Sequence, residues 1–202
     1  SWNNLTPLSP AGVAKNWTVS AVGDQTFTIK GQTYVGGGSS FAAPLVTGTA
    51  ALLKEKYPWM DGSLIRQTIL STATDIGDPG VDSTYGWGLI NIDKALNGPA
   101  KFSKELALDE NVTVDIPSGT YTFSNDISGD AGLIKNGAGI LILSGNSTFT
   151  GNTTVNAGID TDMDRAIIIE EKLFGSCFTT EDQKVGMKAF LEKVKGVEYK
   201  NK

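Results

Sequence analysis

The fold is decided by the stretch GSSFAAPLVTG, residues 38–48, which closes a run of three glycines and opens a segment rich in alanine and leucine. The following residues up to 57 carry little charge and many apolar side chains. A run of this length that is apolar on all sides predicts a buried helix. Pro44 fits such a helix only in its first turn, so we expect the helix to begin at Ser39 or Ser40.

Residues 1–100 as a whole predict a mixed α/β arrangement around this helix. Pro58 is expected to end the helix, because proline cannot continue it. Before the helix, the alternation over Thr26–Ile29 predicts a short strand. After it, residues Ser63–Thr72 predict a second helix with apolar residues on one face. Those residues are Leu64, Ile65, Ile69 and Leu70.

Residues 101–159 change in character, with frequent Thr, Asn, Ser and Gly between short alternating apolar stretches. Four short strands are predicted there. They are Val112–Ile116, Tyr121–Phe123, Ile140–Leu143 and Thr153–Val155. Short strands at close spacing indicate a β-solenoid or a small β-sandwich. A single rung cannot bury its own faces, so a solenoid would need further repeats.

Residues 160–202 change again, since charged residues become dense and glycine becomes sparse. Two helices are predicted in this short tail, at about 163–174 and 181–195. The second opens with the capping-box sequence of residues 180–183. The join near Ile159 and Asp160 has no linker composition. The predicted fold class is therefore an α/β part, then a solenoid-like repeat, then a short α-helical tail.

The composition excludes several classes of function. There is no histidine, so these residues supply neither the usual general base for a serine nucleophile nor a histidine-containing zinc site. We expect no cofactor and no metal. The net charge of −5 without a basic cluster argues against nucleic acid as a partner. A single cysteine, Cys177, excludes an internal disulfide. No basic and apolar leader follows Ser1, which would fit a cytoplasmic protein or a missing front end.

Ser40 is the candidate nucleophile. A serine at a helix N-terminus lies where free N–H groups and the helix dipole favour negative charge. The backbone N–H of Ser40 could then help to stabilise the oxyanion of a tetrahedral intermediate. The alternative is that Ser39 or Ser40 serves only as the N-cap of a buried helix.

The stretch at residues 38–48 closely resembles the serine signature of subtilisin-like proteases, with Ser40 at the nucleophile position. The resemblance continues through residues 65–75, through the turn Tyr85–Asn91 and through the short helix at Asp93–Leu96. Upstream, Gly12–Thr18 stands where the family has the strand region before the serine loop. The resemblance implies an α/β fold and peptide-bond hydrolysis through an acyl-enzyme.

A second resemblance narrows the family. The stretch Gly132–Gly145, GLIKNGAGILILSG, is close to the strand repeat of autotransporter passengers. Autotransporter serine proteases carry such repeats after a subtilisin-like domain. The resemblance implies a protein or peptide substrate and an extracellular or bacterial cell-surface location. It also implies attachment to the outer membrane through a translocator domain that these residues do not contain. The oligomeric state stays open.

The rest of the family's active site has no counterpart here. The family uses an aspartate and a histidine that precede the serine, and an asparagine in the oxyanion hole. None of the residues before Ser40 is a histidine, and three asparagines lie too close to the serine to match. They are Asn3, Asn4 and Asn16. Asp24 is a possible acid, although a surface turn residue is the better interpretation. The triad aspartate and histidine are therefore absent, and we expect the chain alone to be inactive.

The tail resembles a different family. Residues 166–202 are similar to the C-terminal helices of crotonases, the enoyl-CoA hydratases and 3-hydroxybutyryl-CoA dehydratases. That family is cytoplasmic, and its catalytic glutamates have no counterpart here. We interpret Glu170, Glu171 and Glu181 as solvated helix faces and Cys177 as a small packed hydrophobe.

The two resemblances point to a chimeric reading frame that joins near residue 160. Three functions are open at this point: a subtilisin-like protease fragment, an acyl-CoA hydratase remnant, and a non-enzymatic surface segment.

Overall fold

The computed structural model describes residues 6–156. Residues 6–156 belong to one compact unit. The predicted tail helices, together with Glu170, Glu171, Glu181 and Cys177, lie outside the described residues, as do Asn3 and Asn4. The elements before residue 100 are a short 3-10 helix at Gly12–Trp17, the hairpin strands β1 (Gln25–Ile29) and β2 (Gln32–Gly36), and helices α1 (Ser39–Lys56), α2 (Gly62–Ser71) and α3 (Ile92–Ala95).

The elements after residue 100 are short, and most of them are strands. They are β3 (Lys101–Phe102), helix α4 (Lys104–Ala107), β4 (Asn111–Asp115), β5 (Thr120–Phe123), β6 (Ser128–Gly129), β7 (Gly132–Asn136), β8 (Ile140–Leu143) and β9 (Thr153–Asn156). All four predicted strands are therefore confirmed, because a period-two pattern is set by local sequence.

Strand pairing after residue 100 is parallel in every described pair. In the three-stranded sheet β4–β7–β9, Leu133 stands between Val112, 21 residues earlier, and Thr153, 20 residues later. Parallel register at this offset does not fit an antiparallel sandwich and is what stacked solenoid rungs require. The sheets hold only two or three strands each, so the solenoid itself stays a prediction.

Two predictions about α1 are corrected. The helix begins at Ser39 as expected, but Pro44 is its sixth residue and lies inside the helix, beyond the first turn. The helix is also not buried on all sides, since Thr49 and Leu53 are its only buried residues. The described elements cover the N-terminal half of α1 only in part, so its apolar side chains stay half-buried or exposed.

The segment Gly12–Trp17 was expected to be part of a strand region and is a 3-10 helix instead. Its start is tied to a distant loop, because the N–H of Gly12 donates to the carbonyl of Ser83 at 2.7 Å. Gly12 has a φ of +57°, which turns the chain out of extended conformation. The extended backbone begins only afterwards, with the parallel bridge between Ser20 and Leu89.

One hydrophobic core crosses residue 100. It joins residues of α1 and α2 to residues of the β-strands. Its largest fully buried side chains are Tyr57, Phe102, Phe123, Leu53, Met60, Leu106, Ile116 and Ile127. A hydrogen bond also joins the two sides of residue 100, because the backbone N–H of Ser103 donates to Gln67 Oε1 of α2 at 2.9 Å. The domain boundaries at residues 100 and 160 stay predictions, and the core is continuous across the first.

Helix α1 offers a direct measure of this core. Leu53 is fully buried, and its neighbour Leu52 is 41% exposed in the same helix. We expect Leu53→Ala to lower the free energy of unfolding by about 3 kcal/mol, since it leaves a cavity. Leu52→Ala should change it by less than about 0.5 kcal/mol. Urea unfolding followed by circular dichroism measures both, and equal losses would contradict the packing described here.

Candidate active site

Ser40 is the second residue of α1, and its side chain is exposed. The N-cap of the helix is Gly38, and no side chain caps the helix. The alternative in which Ser39 or Ser40 is the N-cap is therefore wrong. Gly38 adopts φ +128° and ψ 167°, a conformation that is almost restricted to glycine. This backbone releases both serine side chains from capping.

Backbone groups at Ser40 are also free. Its N–H makes no hydrogen bond to the described residues outside the helix, and as the second helical residue it has no partner within the helix. Pro44 has no N–H, so the carbonyl of Ser40 lacks its donor four residues on. A free N–H on the first turn, with the positive end of the helix dipole, suits a developing oxyanion.

The hairpin β1–β2 packs against the first turn of α1. The ring of Phe41 stacks on Phe27 with centroids 5.8 Å apart. A Cβ at Gly36 would overlap the ring of Phe41, so only glycine fits at that position. The hairpin is itself exposed, and Tyr34 and Val35 contribute large apolar surface to it. The serine loop, by which we mean the residues from Gly37 to Ser40, is therefore attached to a partly exposed hairpin.

The proposed alternative acid and the asparagine Asn16 do not reach Ser40. Asp24 is exposed, and its carboxylate packs on Gly37, where a Cβ would lie 2.9 Å from Asp24 Oδ1. Asn16 donates from Nδ2 to Glu105 at 2.8 Å on the surface. No described residue makes a hydrogen bond to the Ser40 hydroxyl, so no general base contacts it in the described part of the chain. That part contains a candidate nucleophile and one oxyanion donor.

A large cavity of about 1070 Å³ lies beside this helix. One wall is the face of α1 that carries Ser39, Ala42, Ala43, Val46, Thr47 and Ala50. Another wall is formed by Trp17, the last residue of the 3-10 helix, and the extended segment 18–24 that follows it. This cavity could not be read from the sequence, because it depends on which faces stay uncovered.

One edge of the extended segment is unpaired and lines the cavity. The opposite edge is bonded: Ser20 donates to the carbonyl of Gly88 and accepts from Ile90, each at 2.8 Å. In an extended chain the neighbouring residues point their backbone groups the other way. Those neighbours are Val19 and Ala21, whose backbone groups make no hydrogen bond among the described residues and which line the cavity.

The described residues show no group of three or more side chains that could hold a metal ion. Within residues 6–156, no helix combines the length and apolarity needed to cross a membrane.

Alanine variants of Gly38 and Gly48 form a matched pair that tests the backbone conformation just before the two serines. A Cβ would meet no atom within 4 Å at either position, so only backbone conformation matters. We expect Gly38→Ala to destabilise the protein by about 2 kcal/mol, because its φ is restricted to glycine. Gly48→Ala lies within α1 and should stabilise it by about 1 kcal/mol. Thermal and urea unfolding measure both, and a neutral Gly38→Ala would refute the backbone described.

Two parts of the chain match two different family models. Residues 1–88 match the Subtilase family, and residues 133–159 match the Passenger-associated-transport-repeat. The neisserial autotransporter lipoprotein NalP of Neisseria meningitidis serogroup B is 48% identical over 150 residues, which cover 73% of this chain and 14% of NalP. An extracellular serine protease of Serratia marcescens is 37% identical over 153 residues, covering 60% of this chain and 15% of that protein.

A third relative belongs to the family that the tail resembles. Crotonyl-CoA hydratase of Syntrophomonas wolfei is 62% identical over 40 residues, which cover 20% of this chain and 15% of the hydratase. The resemblances to subtilisin-like autotransporter proteases and to crotonases are thus confirmed. The chain spans about one seventh of the length of each of these relatives.

Proposed function

We propose that residues 1–88, which match the subtilase family, provide the nucleophile side of a serine endopeptidase of the autotransporter type. The observation that carries the proposal is the exposed Ser40 on the first turn of α1, inside the family's serine signature. Ser40 Oγ would attack the peptide carbonyl, and the free N–H of Ser40 would stabilise the oxyanion. The general base would take the Oγ proton and pass it to the leaving nitrogen as the C–N bond breaks, and water would then hydrolyse the acyl-enzyme to release the acid and free Ser40.

We propose that the general base is a histidine from polypeptide outside these 202 residues, since they contain none. The cavity beside α1 supports this. It combines an unpaired strand edge at Val19 and Ala21 with an uncovered helix face, so it suits an added parallel strand.

The direction of the strand matters for the chemistry. Segment 18–24 runs toward the serine loop, where the N–H of Gly38 donates to the carbonyl of Gly23 at 3.2 Å. A parallel strand placed beside it would end next to Ser40. In α/β sheets the functional residues follow the carboxyl ends of the strands. We therefore propose that the segment which fills the cavity brings the missing imidazole to Ser40.

The location, the substrate class and the membrane attachment that we propose rest on the relatives. We propose an extracellular or cell-surface parent protein that hydrolyses protein or peptide substrates without a cofactor. Attachment to the outer membrane through a translocator domain would follow from the autotransporter relatives. The solenoid-like stacking after residue 100 would continue into further passenger repeats. As an isolated polypeptide, the 202-residue chain is proposed to be inactive.

Labelling with a fluorophosphonate probe tests this function. The chain alone should show no labelling, because no imidazole activates Ser40. Addition of the part of NalP that precedes its matched segment should restore stoichiometric labelling. Ser40→Ala should abolish the restored signal, and the neighbouring Ser39→Ala should retain it. Labelling of the chain alone would contradict the proposal of inactivity. Absence of labelling with the partner present would favour a non-enzymatic surface segment.

The tail supports a second candidate, a remnant of an enoyl-CoA hydratase or 3-hydroxybutyryl-CoA dehydratase. The 62% identity over 40 residues favours it. The pairing of a surface protease with a cytoplasmic CoA enzyme is best explained by two joined reading frames. Sequencing of the genomic locus across the codons for residues 158–162 tests that explanation, and one continuous transcribed frame there would refute it.

Calorimetric titration with coenzyme A tests the second candidate. We expect no binding, because the catalytic glutamates and oxyanion loop of that family have no counterpart in this sequence. The matched control is the chain truncated after Asn156, which should give the same trace. Binding that is lost on truncation would favour the hydratase remnant.

A further inference from the structure

Among the described residues, helix α1 is buried most deeply at its C-terminal end. None of its first ten residues is buried, whereas Thr49, Leu53 and the following Tyr57 are each at most 1% exposed. The other end has lighter contacts, namely the stacking of Phe41 on Phe27 of a largely exposed hairpin and the hydrogen bond from the N–H of Gly38 to the carbonyl of Gly23. The position of Ser40 therefore depends on what holds the C-terminal end of the helix.

Tyr57 is the central contact at that end. Its hydroxyl lies 2.9 Å from the carbonyl oxygen of Leu96 and 3.0 Å from that of Thr122, and it donates its one proton between them. Its ring meets Phe123 edge-on at 5.4 Å and lies 6.2 Å from Tyr121. Burial raises the pKa of Tyr57 to about 12, so the phenol keeps the proton that it donates. The anchor is thus built largely from strand β5.

Strand β5 is in turn fixed to the end of α3. The side-chain amide of Asn125 donates to the carbonyls of Lys94, at 2.8 Å, and Gly98, at 2.5 Å. Gly98 has a φ of +93°, and a Cβ there would overlap the ring of Phe123. Because these contacts leave β5 little freedom, Tyr57 is attached to a rigid support.

The length of α1 amplifies any movement at this support. Ser40 and Tyr57 are separated by about 25 Å along the helix at 1.5 Å per residue. A tilt of about 10° at Tyr57 would therefore move Ser40 by about 4 Å. Misplacement of a reacting group by about 1 Å already costs on the order of 100-fold in rate.

We infer that Tyr57 is a positioning residue for Ser40, and that strand β5 holds Tyr57 in place. Strand β5 belongs to residues 101–159, which we call the repeat segment. The repeat segment would then help to position the nucleophile of the protease, in addition to serving as a passenger. The role of Ser40 in this inference rests on the proposed function. The geometric claim, that β5 sets the direction of α1, does not.

Pulsed electron paramagnetic resonance measures the direction of α1 in the full chain without needing activity. Nitroxide labels are placed at Ser40→Cys and at Thr113→Cys, an exposed position on β4, in a Cys177→Ser background. The parent should give one narrow distance distribution. Tyr57→Phe removes only the hydroxyl and should broaden it, and Tyr57→Leu should broaden it at least twofold. Tyr121→Phe is the matched control, because the Tyr121 hydroxyl has no hydrogen bond among the described residues, and it should change nothing.

Hydrogen exchange distinguishes positioning from general stability. Tyr57→Phe should speed exchange in α1 about 5-fold, the factor that corresponds to one ordinary hydrogen bond, and leave β4 and β7 unchanged. Uniform acceleration across all segments, or unchanged distances in both Tyr57 variants, would overturn the inference. Failure of serine labelling with these distances intact would overturn the proposed function alone.

Discussion

The described structure depends on the contact between the C-terminal end of α1 and strand β5. Tyr57, Trp59, Tyr121 and Phe123 form one aromatic group there, with ring centroids 5.4 to 6.2 Å apart. Aromatic pairs with such geometry stabilise a fold beyond the apolar area that they bury. Because α1, α3 and β5 all meet at this point, it connects the part of the chain that matches a protease to the part that resembles a passenger.

That contact explains why a partial α/β unit can be compact. Small domains bury too little apolar surface to be stable without additional packing. Here α2 gains packing from the repeat segment, where Arg66 donates to the carbonyl of Leu106 at 2.8 Å and Gln67 accepts from Ser103. Residues 101–156 therefore supply part of the packing around α2 and the C-terminal end of α1, and the cavity beside the N-terminal half of α1 remains open.

Local sequence predicted the elements well, and it failed where structure depends on distant partners. The strand patterns at residues 112–116 and 140–143 were sufficient, since alternation of side chains is a property of the strand itself. The exposure of α1 was not predictable, because an apolar helix is buried only where another element covers it. The same reason applies to Gly12–Trp17, whose conformation follows from hydrogen bonds to residues more than 70 positions away. At the site, the signature predicted Ser40, whereas the free edge at Val19 and Ala21 became visible only once the bonds of Ser20 were known.

The arrangement around Ser40 separates two requirements of a serine nucleophile. One part of oxyanion stabilisation is local, because a free N–H at the start of a helix supplies one donor, and these residues provide it. Activation of the hydroxyl is not local, because it needs an imidazole placed within hydrogen-bond distance by another part of the chain. The unpaired edge at Val19 and Ala21 and the exposed face of α1 line one cavity, whose lining also includes Ser39, the residue before Ser40. Under the proposed function, a polypeptide that paired with this edge would supply packing and the general base together. In such a protein, assembly of the fold and assembly of the active site are one event.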